Sequence, residues 1–190
     1  MRIVDLRLHH KARVRQAAAL LVEGFRHNWP DSWSDMDDAL EEVHEALDEE
    51  RICRVAVDDR GNVVGWIGAI PEYDGHAWEL HPLVVDPAVQ GQGVGRALVA
   101  DLEEQVRERG GLTIYLGSDD VSGMTSLAGV DLYPDPLVHL AQIQNRRRHP
   151  FEFYQKLGYA IVGVIPDANG WGKPDIWMAK RVGRPPEGKP

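Results

Sequence analysis

Apolar positions recur along the chain with two different periods, and the switches between them lay out the elements. Ile3 to Leu8 alternates and is β-branched at its start, which predicts a first strand. Val14, Ala18, Leu21 and Phe25 then step by 4, 3 and 4, so a helix is expected over about residues 11–27. The turn Asn28-Trp29-Pro30-Asp31-Ser32-Trp33-Ser34 follows, with Ser34 placed to cap the next helix. That helix carries Met36, Leu40, Val43 and Leu47 on one face. Ile52 to Asp58 and Asn62 to Ile70 flank Asp59-Arg60-Gly61, a hairpin signal. Ala77 to Val85 predicts a further strand, and Gly93 to Arg109 a helix with Val94, Leu98, Leu102 and Val106 on one face and Gly110-Gly111 as its stop. Leu112 to Gly117 reads as a short buried strand, Phe151 to Leu157 as a short helix ended by Gly158. Tyr159 to Ile165 and Asp175 to Lys180 read as strands. Ser118 to Arg148 shows no steady period. The pattern predicts one α/β domain over residues 1–181 with a mostly antiparallel early sheet, and a flexible Pro/Gly-rich tail over 182–190.

Composition narrows the class. A length of 190 residues and 43% hydrophobic content suit one globular domain. The net charge of −9 argues against a nucleic-acid binder or a polybasic membrane anchor. Cys53 is the sole cysteine, so neither a disulfide framework nor a cysteine-based metal site is expected, and a reducing, cytoplasmic setting fits. Charges at Arg2, Asp5 and Arg7 do not suit a signal peptide. The longest uncharged run, Gly61 to Pro71, falls short of the roughly 18–20 apolar residues of a membrane span. The acidity is local. Asp31 to Glu50 holds ten carboxylates and no Lys or Arg, so it alone carries −10 and the remainder sums to +1. Such a helix face is either simply solvated or a field that gathers a polycationic ligand.

Candidate chemistry begins at Gln90-Gly91-Gln92-Gly93-Val94-Gly95-Arg96, between an apolar strand and an amphipathic helix. The dinucleotide fingerprint would need glycine at 96 and meets Arg96, and the Walker pattern lacks its Gly-Lys-Ser/Thr. The pattern that fits is Q-x-x-G-x-G, on Gln90, Gly93 and Gly95. Without β-carbons a backbone can close on a pyrophosphate at a helix N-terminus. The alternative is a tight strand–helix turn. In the preceding strand, Trp78-Glu79-Leu80-His81-Pro82-Leu83-Val84-Val85, Pro82 marks an edge, a bulge or a splayed pair. Period two puts Glu79, His81 and Leu83 on one face unless a bulge shifts the register.

A strand with a Pro-marked bulge followed by this glycine turn resembles the GCN5-related N-acetyltransferase (GNAT) family. The resemblance runs over residues 1–181. It is carried further by Gly111 to Asp120 (GLTIYLGSDD), His149 to Tyr159 (HPFEFYQKLGY) and Ile161 to Lys180 (IVGVIPDANGWGKPDIWMAK). Within that family these strings resemble the aminoglycoside 6'-N-acetyltransferases, the branch of the chromosomal enterococcal enzyme. The resemblance implies a mixed, mostly antiparallel twisted sheet flanked by helices, with splayed central strands. It also implies acetyl-CoA as donor, an aminoglycoside as acceptor, a sequential ternary complex, a homodimer and no metal. The chain departs from the general family pattern at Pro150, which stands where a small residue is usual, and at Asn145, which lies further upstream. The Trp33 turn and Val121 to Pro136 match less closely.

An acceptor amine arrives protonated, since alkyl amines titrate near about 10, and must lose a proton before it attacks. Glu79 is expected to hold the ammonium and relay its proton, with His81 as a second relay or as a core histidine. The Leu83 N–H is expected to face the thioester oxygen. Leu83, Val84 and Val85, the turn Gln90, Gly91, Gln92, Gly93, Val94, Gly95 and Arg96, and Asn145 are expected to hold coenzyme A. By resemblance, Tyr154 faces the CoA sulfur, where a phenol can protonate or hydrogen-bond the departing thiolate. By the same resemblance Trp29, Tyr73, Asp119 and Asp120 line the acceptor pocket; the Trp33 turn is expected to border it, and Asp31 with the acidic helix to add a longer-range field to substrate binding. Rings suit the apolar faces of amino-sugars and carboxylates their ammonium groups. Two other classes remain: a GNAT enzyme acting on a polyamine or a protein N-terminus, and a non-catalytic protein that binds CoA or a cationic drug.

Overall fold

The computed structural model describes residues 1–26, 29 and 32–184. Seven strands and five helices are found among them: β1 (Arg2–Asp5), α1 (Lys11–Phe25), α2 (Met36–Ala46), β2 (Ile52–Val57), β3 (Val63–Glu72), β4 (Ala77–Val85), α3 (Val94–Glu108), β5 (Thr113–Asp119), α4 (Pro136–Leu140), α5 (Phe151–Lys156), β6 (Ala160–Ile165) and β7 (Asp175–Arg181). The described residues form two compact units, one of those up to 114 with 181–184, and one of residues 115–180. Every helix and strand expected from the periodicity is present. α4 lies in the stretch that showed no period. Among the described residues no helix is long and apolar enough to cross a membrane.

In the first unit β1, β2, β3 and β4 pair in that order, each antiparallel to the next. The two sheet faces are covered by different helices, as alternation along β2 shows. Cys53, Val55 and Val57 join Trp66 and Val84 in a core with Val14, Ala18 and Leu21 of α1 and with Ala39, Val43 and Ala46 of α2. Arg54, on the opposite face, reaches α3 instead. Its guanidinium takes both oxygens of Asp101 at 2.7 and 2.9 Å and also bonds Asp5 of β1. This half-buried bidentate pair orients α3 over β1 and β2. Gly65 permits the close approach of α3, since a Cβ there would stand 2.9 Å from Leu98 and 3.1 Å from Val94.

Two termini differ from expectation. α2 is capped by Asp35 rather than Ser34: its carboxylate accepts the N–H groups of Asp37 and Asp38 at 2.8 and 3.1 Å. A carboxylate outcompetes a hydroxyl there because it also meets the positive end of the helix dipole. Ser34 donates its hydroxyl to Asp38 at 3.1 Å instead. Val182 and Gly183, expected to begin a frayed tail, donate to the Leu112 carbonyl at 2.8 and 3.1 Å, and Arg107 bonds the Val182 carbonyl. Residues 185–190 lie outside the described residues.

In the second unit the strand row is β5, β7, β6, with β6 and β7 antiparallel. The loop after β5 is organised from within. Asp120 is fully buried, and its two carboxylate oxygens accept the N–H groups of Met124 and Thr125 at 2.6 and 2.7 Å. A short bridge between Thr125 and Asn145 then closes the loop before α5. Side chain to backbone bonds of this kind leave no hydrophobic period, which is why the stretch resisted assignment.

Candidate active site

β4 carries the candidate residues Glu79, His81 and Leu83 of the first unit, and its geometry turns on one irregularity. Ile67 pairs with Leu83 and Ala69 pairs with Leu80, so Gly68 alone opposes both His81 and Pro82. This is a β-bulge, one of the three arrangements that Pro82 allowed. Gly68 makes it possible: a Cβ there would stand 2.4 Å from the His81 carbonyl oxygen. The bulge also changes which residues share a face. Ile67 and Ala69 point to one side, so Leu80 and Leu83 do too, three residues apart. Glu79 and His81 therefore face the α1–α2 side, whereas the Leu83 side chain lies on the α3 side. The grouping of Leu83 with Glu79 and His81 fails because the extra residue inverts the alternation. Only the Leu83 backbone stays beside the bulge.

Beneath Glu79 and His81 lies a carboxylate from α2. Glu42 Oε1 is 3.5 Å from His81 Nε2, and the Glu42 side chain is only 18% exposed. The Trp33 indole N–H also holds this carboxylate. Trp33 packs on Phe25 and lies 6.0 Å from the His81 ring. The contact with His81 lowers the Glu42 pKa. On His81 burial works against the charged ring, yet Glu42 and Glu79 prevail and its pKa is raised. Trp29 is half-buried against Phe25, with ring centroids 5.5 Å apart. Tyr73 stands in the β3–β4 turn, 76% exposed, with left-handed backbone at itself and Asp74. Asp31 lies outside the described residues.

β4 leads through a short 3₁₀ turn, Pro87–Val89, into the glycine segment and α3. Gln90 donates to the Val85 carbonyl at 3.1 Å, tying the turn to the strand it leaves. Gly91 and Gly93 have φ of 76° and 90°, conformations that disfavour side chains. Gly93 caps α3 without a side-chain bond to its first turn. Gly91, Gln92 and Gly93 are exposed, and the space around Gly91 and Gly93 is open. The first-turn amides of α3 are thus offered to a ligand rather than to a capping side chain, which fits a pyrophosphate.

The second unit divides its expected residues. Tyr154 is buried in an aromatic group with Phe153 and Tyr159, with centroids at 5.1 and 5.7 Å. Burial raises the pKa of its phenol, so the group stays protonated. Asp119 is half-buried and accepts the Asn169 amide. Asp120 holds the loop with both oxygens, an arrangement that accounts for its carboxylate without a ligand. Asn145 likewise engages both ends of its amide on the His149 backbone, at 2.9 and 2.7 Å. His149, which carried no expected role, is buried. Its Nε2 faces the Asp119 carbonyl at 3.2 Å, and its Nδ1 accepts the Phe151 N–H at the start of α5. Burial lowers its pKa, as suits a neutral, structural ring.

Comparison with known proteins agrees with this architecture. Residues 14–127 match the model of the acetyltransferase (GNAT) family. The crystal structure of an aminoglycoside 6'-N-acetyltransferase complexed with coenzyme A shares 46% identity, covers 98% of this chain and 100% of that one, and superposes with a TM-score of 0.89. The aminoglycoside 6'-N-acetyltransferase from Enterococcus faecium matches at the same identity and coverage with a TM-score of 0.86. An aminoglycoside 6'-acetyltransferase type Ii gives 41% identity over the same shares of the two chains and a TM-score of 0.74. No curated protein matches the chain. With the bulged β4, the open glycine turn and a family match over most of its length, the chain belongs to the GNAT acetyltransferase family.

Proposed function

We propose that this protein transfers the acetyl group of acetyl-CoA to the 6'-amine of aminoglycoside antibiotics, by direct attack within a ternary complex. The observation that carries this reading is 46% identity along essentially the whole chain with an aminoglycoside 6'-N-acetyltransferase. The glycine turn and α3 amides would take the pyrophosphate of the donor, which supplies the activated acetyl group. Glu79, on the α1–α2 side of β4, would hold the acceptor ammonium and pass its proton to water or to His81. The Leu83 N–H, at the bulge, would donate to the thioester oxygen as charge develops there. Tyr154, protonated by its burial, would donate to the departing thiolate. Trp29, Trp33, Tyr73 and Asp119 would contact the sugar rings and their ammonium groups. Asp31 would add to the acidic field that gathers the cationic acceptor.

We further infer a homodimer, a cytoplasmic setting and a role in antibiotic resistance. β6 ends its row with Val162 and Ile165 exposed, a surface that a second copy would cover. The single, buried Cys53 suits a reducing compartment. The test is thiol release from acetyl-CoA with kanamycin, spermidine or a peptide N-terminus as acceptor. Release with kanamycin alone is expected. Preference for spermidine or the peptide would assign a different acceptor, and CoA binding without release would mark a non-catalytic protein.

A further inference from the structure

Among the described residues, eight of the nine carboxylates between Asp35 and Glu50 are exposed and read as surface acidity or helix capping, but Glu42 is not. The buried residues of α2 are Ala39, Val43 and Ala46. Position 42 falls three after Ala39 and four before Ala46, inside that stripe, where an apolar side chain is the rule. A carboxylate held at 18% exposure needs compensation. The structure supplies it from two groups, the Trp33 indole and the imidazole of His81. Trp33 stands just ahead of α2, and His81 on β4.

We propose that Glu42 is a positioning residue for His81: its carboxylate engages the Nε2–H edge of the imidazole and fixes the ring so that Nδ1 takes up the proton released by the acceptor. This rests on the reading of β4 as the catalytic strand. The proton leaves the acceptor ammonium, through Glu79 or water, and bonds to Nδ1 of the neutral ring. The amine keeps its electron pair for attack. The imidazolium formed is neutralised by Glu42 across 3.5 Å, and the proton later returns to solvent. The charged groups facing His81 among the described residues are Glu42 on α2, Glu79 on β4 and the more weakly opposing Arg51 ahead of β2. Two carboxylates against one guanidinium favour the charged ring. The role resembles that of any carboxylate that orients a basic histidine.

The experiment uses the full-length protein as wild type, Glu42→Gln and Glu42→Asp. The His81 pKa is read by NMR of isotope-labelled histidines, assigned with His81→Asn, and kcat/KM for kanamycin is measured across pH. Glu42→Gln keeps the side-chain shape, and the NMR spectrum reports directly that it folds. It is expected to lower the His81 pKa by about one unit. The acidic limb of kcat/KM should move down with it, and the plateau should fall severalfold because the base is weaker. Glu42→Asp should largely restore both. In a His81→Asn background Glu42→Gln should add little further loss. An unchanged His81 pKa, or a lowered pKa with an unmoved limb, overturns the proposal. The NMR arm needs no turnover, so it decides the Glu42–His81 pairing even if no aminoglycoside is acetylated.

Discussion

A phenol enclosed as Tyr154 is, beside Phe153 and Tyr159 and with its pKa raised by burial, keeps its proton and can donate a hydrogen bond. Tyr154→Phe removes that donor and keeps the ring, so kcat should fall about tenfold or more while the acetyl-CoA KM changes little. An unchanged single-turnover rate would return Tyr154 to a packing role, and single turnover avoids masking by product release. The Glu42–His81 pair makes a stability prediction with a definite sign. Glu42 titrates below its ordinary value near 4.5, so its share is present above that pH and is lost as pH falls through the native pKa. His81 titrates above its ordinary value near 6.5, so its share is present below that pH and is lost as pH rises through the native pKa. Wild type should therefore exceed Glu42→Gln in stability most between about pH 4.5 and 6.5. The gap should be at most about 1 kcal/mol, because the His81 side chain is 41% exposed and screened. Urea titrations at pH 5.5 and 8.5 check it: a larger gap at pH 8.5 would contradict the assignment. At this scale the motifs single out Glu79, His81 and Tyr154 as candidates. It could not display the tasks of Asp120 or Asn145, whose side chains close on nearby backbone, nor Glu42, hidden among nine other acids.

The bulge in β4 is where a single glycine decides the path of a strand. Gly68→Ala would press a methyl group onto the His81 carbonyl at 2.4 Å and must push β4 outward. A loss of about 2–3 kcal/mol is expected by chemical denaturation, with a larger fall in kcat than in CoA affinity, since the glycine turn lies elsewhere. Wild-type kcat and stability would mean that the bulge does not depend on Gly68. α2 makes the second prediction at this scale. Glu41 and Glu45 are exposed, unlike Glu42. Replacing both by Gln should lower kcat/KM for kanamycin and flatten its salt dependence, because exposed charges steer over a Debye length of about 8 Å at 0.15 M salt. The acetyl-CoA KM should hold. An unchanged salt slope would make these two acids a solvated face only. Pro82 marks an irregularity in the sequence, a bulge among its alternatives, but the face that each residue takes depends on the partner strand. Gly68 and its register were needed to see that Leu83 turns away from Glu79. Ser34 likewise looked like the cap until Asp35, one residue on, proved closer to the amides of Asp37 and Asp38.

Across the whole molecule, the charge map and the strand chemistry point to one kind of acceptor. A net charge of −9 concentrated before β2 suits a polycation, and Glu79 and His81 lie on the face that α2 covers. Family and fold were legible because long local strings carry them. The arrangement within residues 118–148 was not, since backbone capping by buried polar side chains replaces hydrophobic periodicity there. The central claim is that the nucleophile is a 6'-amine. Kanamycin has an amine at that carbon and paromomycin a hydroxyl, which is far less nucleophilic and offers Glu79 no cation. The most direct measurement is therefore the structure of the product by NMR and mass spectrometry, with turnover of the two drugs compared under the same conditions. The account predicts a single acetyl group on the 6'-nitrogen of kanamycin and little or no turnover of paromomycin; equal turnover of both, or acetylation at another amine, would contradict it.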